Sequence, residues 1–296
     1  MPRRAAWGLL ALLVGATACA SPDLSRSTAP ITAVDDAGDT VRLEAPAVRI
    51  VSLIPATTEL LFALGLGGHV VGRTTWCDFP AEATRVPNLG DGLQPNLEAI
   101  LAARPDLVVL YHSTQNVAAA DRLRAQHIPT VLVTTDRLSD IPRLARFLSK
   151  LGGRSDAGDS LARQFERELA AASRPTPAQP ASILILAWDQ PPIAIGAGSF
   201  LSELVTRAGA RNVFDDLAAA SAPVSLEAIA SRDPDVILVV GDSLPAFSRR
   251  AEWRSVRAVR EHRFVRVPGT LLSRPGPRSP AALLALRAAL GSEQQP

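Results

Sequence analysis

Apolar and polar positions change period several times along this chain, and each change marks an element. Ile31 to Glu44 alternates around Asp35-Asp36-Ala37-Gly38-Asp39, which predicts a β-hairpin. Val48 to Leu53 is a short apolar run that predicts a buried strand. Pro55 stops it, and Thr57 to Leu64 has helical spacing closed by Gly65 and Gly67. His69 to Arg73 predicts a strand, and Thr74 to Leu93 is irregular. Strands follow over Asp106 to Tyr111 and Pro129 to Val133, with helices over Gln115 to Gln126 and Leu138 to Leu151. Ser155 to Ser173 differs: it is long and charged, with Leu161, Phe165 and Leu169 at i, i+4 and i+8, and Arg174-Pro175-Thr176-Pro177 ends it. A second series then runs as strand (Ser182 to Trp188), helix (Phe200 to Ala208), helix (Leu226 to Ser231), strand (Asp235 to Val240), helix (Arg254 to Arg260), strand (Arg263 to Val267) and helix (Ser279 to Leu290). Pro191 to Ile195 reads as broken by proline. Strands alternating with helices predict parallel sheets covered on both faces. The expected class is therefore α/β, with two lobes over residues 31–154 and 175–296 and one long helix over 155–174 between them.

One stretch is stated twice. Asn96 to Leu110 reads NLEAILAARPDLVVL, and Ser225 to Val240 reads SLEAIASRDPDVILVV. Leu97, Glu98, Ala99, Ile100, Pro105 and Asp106 recur as Leu226, Glu227, Ala228, Ile229, Pro234 and Asp235, at a constant offset (227 − 98 = 129). Repetition at one large offset means two related lobes rather than a solenoid. Each copy predicts a short helix, a Pro-Asp break and an apolar strand, with one Glu in the first helical turn.

Composition then fixes the setting. Arg3 and Arg4, the apolar run Ala5 to Val14 and the small residues up to Ala18 read as an export signal, residues 1–18, too short to span a bilayer. Cys19 follows at once, as in a bacterial lipobox, so it is a candidate lipidated N-terminus, and residues 19–30 form a small polar tether. The chain carries 31 Lys and Arg against 29 Asp and Glu; removing Arg3 and Arg4 brings the formal charge from +2 to 0. A neutral exported protein is a poor nucleic-acid binder. Cys77 is the remaining cysteine, so no disulfide framework is expected. The four His (His69, His112, His127, His262) show no metal-ligand spacing, and no nucleophile-elbow, Walker or zincin motif occurs. A hydrolase would have to use His112, at a strand end, as its base. A pair of adhesion or sensory lobes is the other alternative.

The motifs resemble the substrate-binding proteins of ATP-binding-cassette importers for cobalamin and iron-siderophores. Arg49-Ile-Val-Ser-Leu-Ile-Pro55 with Thr58-Glu59-Leu60 is similar to that family's first strand and turn, and Val71 to Pro80 (VGRTTWCDFP) to its ligand-side loop. Asn96-Leu-Glu98 and Ser225-Leu-Glu227 resemble its two docking helices. Pro191-Pro192, Gly198-Ser199, Glu203-Leu204, Gly209 and Asn212-Val213-Phe214 resemble the start of its second lobe, and Arg274 to Arg278 (RPGPR) the loop opening its last helix. The resemblance implies two Rossmann-like lobes joined by one long helix, capture rather than catalysis, and no catalytic cofactor. It implies a monomer that binds cobalamin or a related corrinoid between the lobes, with a ferric siderophore or haem as the alternative cargo. Glu98 and Glu227 would meet arginines on the two subunits of a membrane permease. Trp76, Tyr111 and Trp188 are candidate ligand contacts, since large planar groups bury much area at low entropic cost. Arg73 and Arg274 are candidate basic contacts, since guanidinium forks pair with carboxylate or phosphate, while Arg278 is read as bracing its loop against the last helix. In one respect the chain departs from the cobalamin-specific pattern: close cobalamin binders carry a Trp shortly before each docking Glu, where this chain has Gly92 and Ser221.

Overall fold

The computed structural model describes residues 30–241 and 243–293. The export signal, Cys19 and the tether up to residue 29 lie outside the described residues. The first lobe opens with the hairpin β1 (Ile31–Val34) and β2 (Thr40–Leu43). Asp35 closes its turn, accepting from the Ala37 and Asp39 amides at 3.0 and 2.9 Å, and Gly38 supplies the positive φ. The sheet of this lobe has the order β4-β3-β5-β6, all parallel: β3 (Ile50–Ser52), β4 (Val70–Arg73), β5 (Leu107–Tyr111) and β6 (Thr130–Val133). The helices are α1 (Pro55–Ala63), α2 (Leu97–Ala102), α3 (Thr114–Arg124) and α4 (Asp140–Leu151). Pro55 does more than stop a strand. It opens α1, where its missing N–H has no partner to lose.

The connecting helix α5 (Ser155–Ala172) lies along α4 and against the terminal helix α10 (Ser279–Glu293). Gly158 makes this approach possible: a Cβ there would sit 1.8 Å from Ser149 Oγ. Phe165, Leu169 and Ala172 of α5 join one core with Leu60 and Leu148 of the first lobe and Ile183 and Leu286 of the second. The two lobes are thus welded through shared apolar burial along α5.

The second lobe contains β7 (Ser182–Asp189), β8 (Pro192–Ile195), α6 (Phe200–Arg207), β9 (Arg211–Asn212), β10 (Ser221–Pro223), α7 (Leu226–Arg232), β11 (Val236–Val240), α8 (Arg257–Arg260), β12 (Phe264–Val267) and α9 (Gly269–Leu272). Its sheet is mixed, which corrects the expectation of a wholly parallel one. β8 and β10 run antiparallel, and the segment that looked proline-broken is a hairpin arm. Pro192 and Pro223 sit at strand ends, where a missing donor is tolerated. One edge of β7 is shared: its start pairs with parallel β9 and its end with antiparallel β8. Without that hairpin the order β9-β7-β11-β12 repeats β4-β3-β5-β6, so the lobes have the same plan.

The repeated stretch is the same in detail. Asn96 and Ser225 cap α2 and α7, each accepting from an amide three residues on at 3.1 Å. Ile100 and Ile229 are both fully buried. Arg104 and Asp233 (104 + 129 = 233) both take a left-handed φ where the helix ends. Asp106 accepts from the Val48 and Arg49 amides ahead of β3, and Asp235 from the Ser182 amide and hydroxyl at the start of β7, each clamping the first strand of the lobe's main sheet. Partial burial of Asp235 works against its charge. The Ser182 donors and the Arg257 guanidinium outweigh this and hold its pKa below the usual carboxylate range.

Candidate functional site

Open α/β sheets bind ligands beyond the carboxyl ends of their strands, where the strand order reverses. In the first lobe that point lies between β3 and β5, and in the second between β7 and β11. A cavity opens at each. The first-lobe cavity, about 610 Å³, is lined by Leu53 and Ile54 after β3, by Tyr111 at the end of β5, and by Trp76, Leu93 and Asn116. The second-lobe cavity, about 490 Å³, is lined by Leu186, Val239, Val240, Phe200, Phe247 and Ser273 among others. Asp91 is the one charged side chain lining either cavity among the described residues, and neither wall carries His, Cys, Lys or Arg.

Two chains of contacts tie the cavities together. Arg274, next to Ser273, donates to the Trp76 carbonyl at 2.6 Å. On the other side, the Tyr111 hydroxyl donates to Asp136 Oδ1 at 2.8 Å, and the Asp136 carbonyl accepts from the Phe200 amide at 2.7 Å. Burial, and then the neighbouring Asp136 carboxylate, push the Tyr111 pKa up to about 12.

The candidate residues divide. Trp76 lines the first-lobe cavity with 60% of its surface exposed. Tyr111 lines the same cavity. Trp188, equally exposed, sits at the far end of β7, where its indole N–H donates to the Gln190 carbonyl at 2.8 Å; it lines neither cavity. Arg73 is spent on the loop that follows it: its guanidinium donates to the carbonyls of Val86, Thr74 and Thr84 at 2.8–3.1 Å. Arg274 is likewise engaged, by Glu59, Asp78 and the Trp76 carbonyl. Arg278 pairs with Glu59 and lies 3.9 Å over the Phe79 ring. Glu98 and Glu227 are both exposed in first turns, away from these cavities. The Glu227 pKa is lowered by its own amide N–H and by the Ser225 hydroxyl, so it holds its charge to lower pH than an ordinary glutamate.

Sequence patterning missed the joint between the lobes. Glu59 on α1 is 4% exposed and takes Arg274 and Arg278 from the second lobe. Glu203 on α6 takes Arg137 from the first lobe and accepts from the Leu138 amide at 3.1 Å. These carboxylates correspond: Glu59-Leu60 and Gly65 recur as Glu203-Leu204 and Gly209 at an offset of 144 (203 − 59). Each lobe therefore offers one acid to the other's arginine. Leu93, 74% exposed on the cavity wall, was also missed. The departure at Gly92 has a steric cause: its φ is +81°, and a Cβ there would stand 2.7 Å from the Leu53 carbonyl oxygen. No side chain fits, and Leu93 supplies the apolar group instead. Ser221 lies exposed in β10, paired with Ile195.

The periplasmic binding protein family model matches residues 50–271. An ABC transporter substrate-binding lipoprotein of Bacillus subtilis is 30% identical over 259 residues, covering 84% of this chain and 82% of that protein. A vitamin B12-binding protein of Vibrio parahaemolyticus is 27% identical over 241 residues, covering 81% and 88%. The periplasmic vitamin B12 binding protein of Vibrio cholerae superposes with a TM-score of 0.70 at 26% identity, covering 85% of this chain and 99% of that one. A periplasmic heme-binding protein from Roseiflexus gives 0.73 at 27%, covering 83% and 99%. The welded lobes, the paired cavities and these matches place the chain in one group: it belongs to the periplasmic binding proteins, a family of binding components of transport rather than of enzymes.

Proposed function

We propose that this protein captures cobalamin or a close corrinoid outside the cytoplasm and delivers it to the permease of an ABC importer. One observation supports the choice of cargo: the first-lobe cavity is largely apolar, and the described walls of both cavities hold no His, Cys, Lys or Arg. A ligand suited to such walls brings its metal already coordinated and a neutral periphery. A cobalamin brings its cobalt held in the corrin ring and a rim of neutral amide arms, with a single phosphodiester in its nucleotide loop. Haem brings two propionates and an open axial position on its iron. Tyr111, the chain's one tyrosine, has its hydroxyl committed to Asp136 at 2.8 Å rather than free for an iron. A neutral ferric siderophore is the second reading. Trp76, Tyr111 and Leu93 are the proposed ligand contacts in the first lobe. Arg73 and Arg274 are assigned to holding the Trp76 loop. Trp188 is assigned to the cleft rim, since its exposed indole stands at the carboxyl end of β7.

Delivery is assigned to Glu98 and Glu227, one carboxylate per lobe at equivalent places, and rim charges of this kind set orientation and association rate. Cys19 is assigned as the lipidated residue that holds the protein at the membrane through the tether; Cys19→Ser should release it into the soluble fraction. Absorbance titration of the purified protein with cyanocobalamin, haemin and a siderophore panel tests the cargo. Saturable 1:1 binding of cyanocobalamin is expected, and its absence would overturn the reading.

A further inference from the structure

The loop that carries Trp76 belongs to one lobe and is held by both. Cys77 pins it to the first lobe: it is 1% exposed, and its Sγ lies 3.2 Å from the Thr58 hydroxyl of α1 and 3.1 Å from the Thr74 hydroxyl. The residues on either side of Cys77 are held from the second lobe. Arg274 donates through Nη1 to the Trp76 carbonyl at 2.6 Å and through Nη2 to the Asp78 carboxylate, while its Nε donates to Glu59 Oε1 at 3.0 Å. Arg278 lies 3.9 Å over the Phe79 ring and donates to Glu59 Oε2 at 2.9 Å. One planar guanidinium thus spans the interlobe joint and the loop, with donors at fixed angles that a lysine ammonium on its flexible stem does not offer. The Trp76 side chain takes no part in these contacts and lines the first-lobe cavity. Asp78, whose side chain is 60% exposed, is not part of that wall.

We infer that Arg274 and Asp78 are positioning residues that set where the Trp76 indole stands, so that the joint between the lobes controls the grip on the ligand. Arg274 comes from the second lobe and is anchored on Glu59, so a change at the joint is passed directly to the Trp76 loop. A permease holding Glu98 on one lobe and Glu227 on the other then has a route to release the cargo: loosening the joint loosens Trp76. Such a coupling is reciprocal, and bound ligand holds the joint in turn. The inference rests on the reading of Trp76 as a ligand contact.

The experiment uses Asp78→Ala, which removes the exposed partner and leaves Arg274 on Glu59, and Arg274→Lys, which keeps a positive charge beside Glu59. In the ligand-free protein, hydrogen exchange read by mass spectrometry should be faster in both variants for peptides spanning residues 74–80, while peptides from β5 and β11 keep their protection. Cyanocobalamin affinity should fall about 10-fold in Asp78→Ala, the size of coupling usual within one hydrogen-bond network. The melting temperature should move by no more than about 2 °C, because the lost partner is an exposed one. In a Trp76→Ala background the same substitution should weaken binding no further. A purely structural joint would give the opposite pattern, a lower melting temperature and the same loss of affinity with and without Trp76. Failure of the unaltered protein to bind cyanocobalamin would overturn the corrinoid reading, and exchange at residues 74–80 would still decide whether the second lobe holds the loop. Unchanged exchange there in both variants, or an additive loss in the Trp76→Ala background, would overturn the inference itself.

Discussion

Arg278 Nη2 donates to Glu59 Oε1 across the two lobes at 2.7 Å, and Arg274 Nε reaches the same oxygen at 3.0 Å. The Glu59 side chain is 3% exposed, so this joint works far from bulk water. Removing one partner of a buried pair strands the others and typically costs about 3–5 kcal/mol. Glu59→Ala should therefore lower the melting temperature by on the order of 10 °C. The corresponding Arg137 side chain is 47% exposed, and an exposed ion pair contributes only about 0–1 kcal/mol. Arg137→Ala should shift melting by a few degrees at most. Calorimetry of the two variants checks the contrast, and equal losses would contradict it.

Charge reversal separates docking from capture. Glu98→Arg and Glu227→Arg place like charges where the permease is proposed to carry arginines. Uptake in cells should fall at least 100-fold for the double variant while purified protein binds ligand as before. Retained uptake would remove the docking role. Each single reversal should give an intermediate loss, because the acids stand at equivalent points of equivalent lobes.

Tyr111 can be followed directly, since it is the chain's one tyrosine. Its pKa is raised from 10.0 to about 12, so the fold favours the protonated phenol. Its contribution to stability is complete below pH 10 and is lost as the pH climbs towards 12. The tyrosinate absorbance near 295 nm should appear well above pH 10 in the folded protein and at about 10 in denaturant. Tyr111→Phe should remove this step from the alkaline stability profile.

Gly92 limits the shape of the cleft. Gly92→Ala forces a Cβ against the Leu53 carbonyl at a positive φ, a strain of about 1–3 kcal/mol. It should lower stability by that amount and also weaken ligand binding, because Leu93 and Trp76 flank the displaced backbone on the cavity wall. Binding unchanged at full strength would show that this loop does not shape the site.

The fold was legible in the sequence where elements follow periodicity. The exact echo at Glu98 and Glu227 gave the two lobes, and the charged run at Ser155 gave α5. The second echo was hidden by unequal insertions. From Arg49 to Ser182 the lobes are offset by 133, from Glu59 to Glu203 by 144, and from Glu98 to Glu227 by 129. The β8 hairpin adds residues before α6, and the longer loop around Trp76 removes the gain before α7. A search at one offset cannot see it. Arg73 and Arg274 were read as ligand contacts because their type suits anions, but a guanidinium's partner is set by tertiary approach: Arg274 and Glu59 are 215 positions apart.

Because Glu59 and Glu203 stand at matching points and each reaches into the opposite lobe, one lobe by itself carries both a carboxylate socket and an arginine plug. That is the geometry of an isologous contact between two identical subunits, where residue i meets j and j meets i. A half-length chain cut at α5 would be self-complementary, and the intact protein has the architecture of such a dimer sewn into one polypeptide. Under the proposed docking, each half would then present one carboxylate, Glu98 or Glu227, to its own permease subunit.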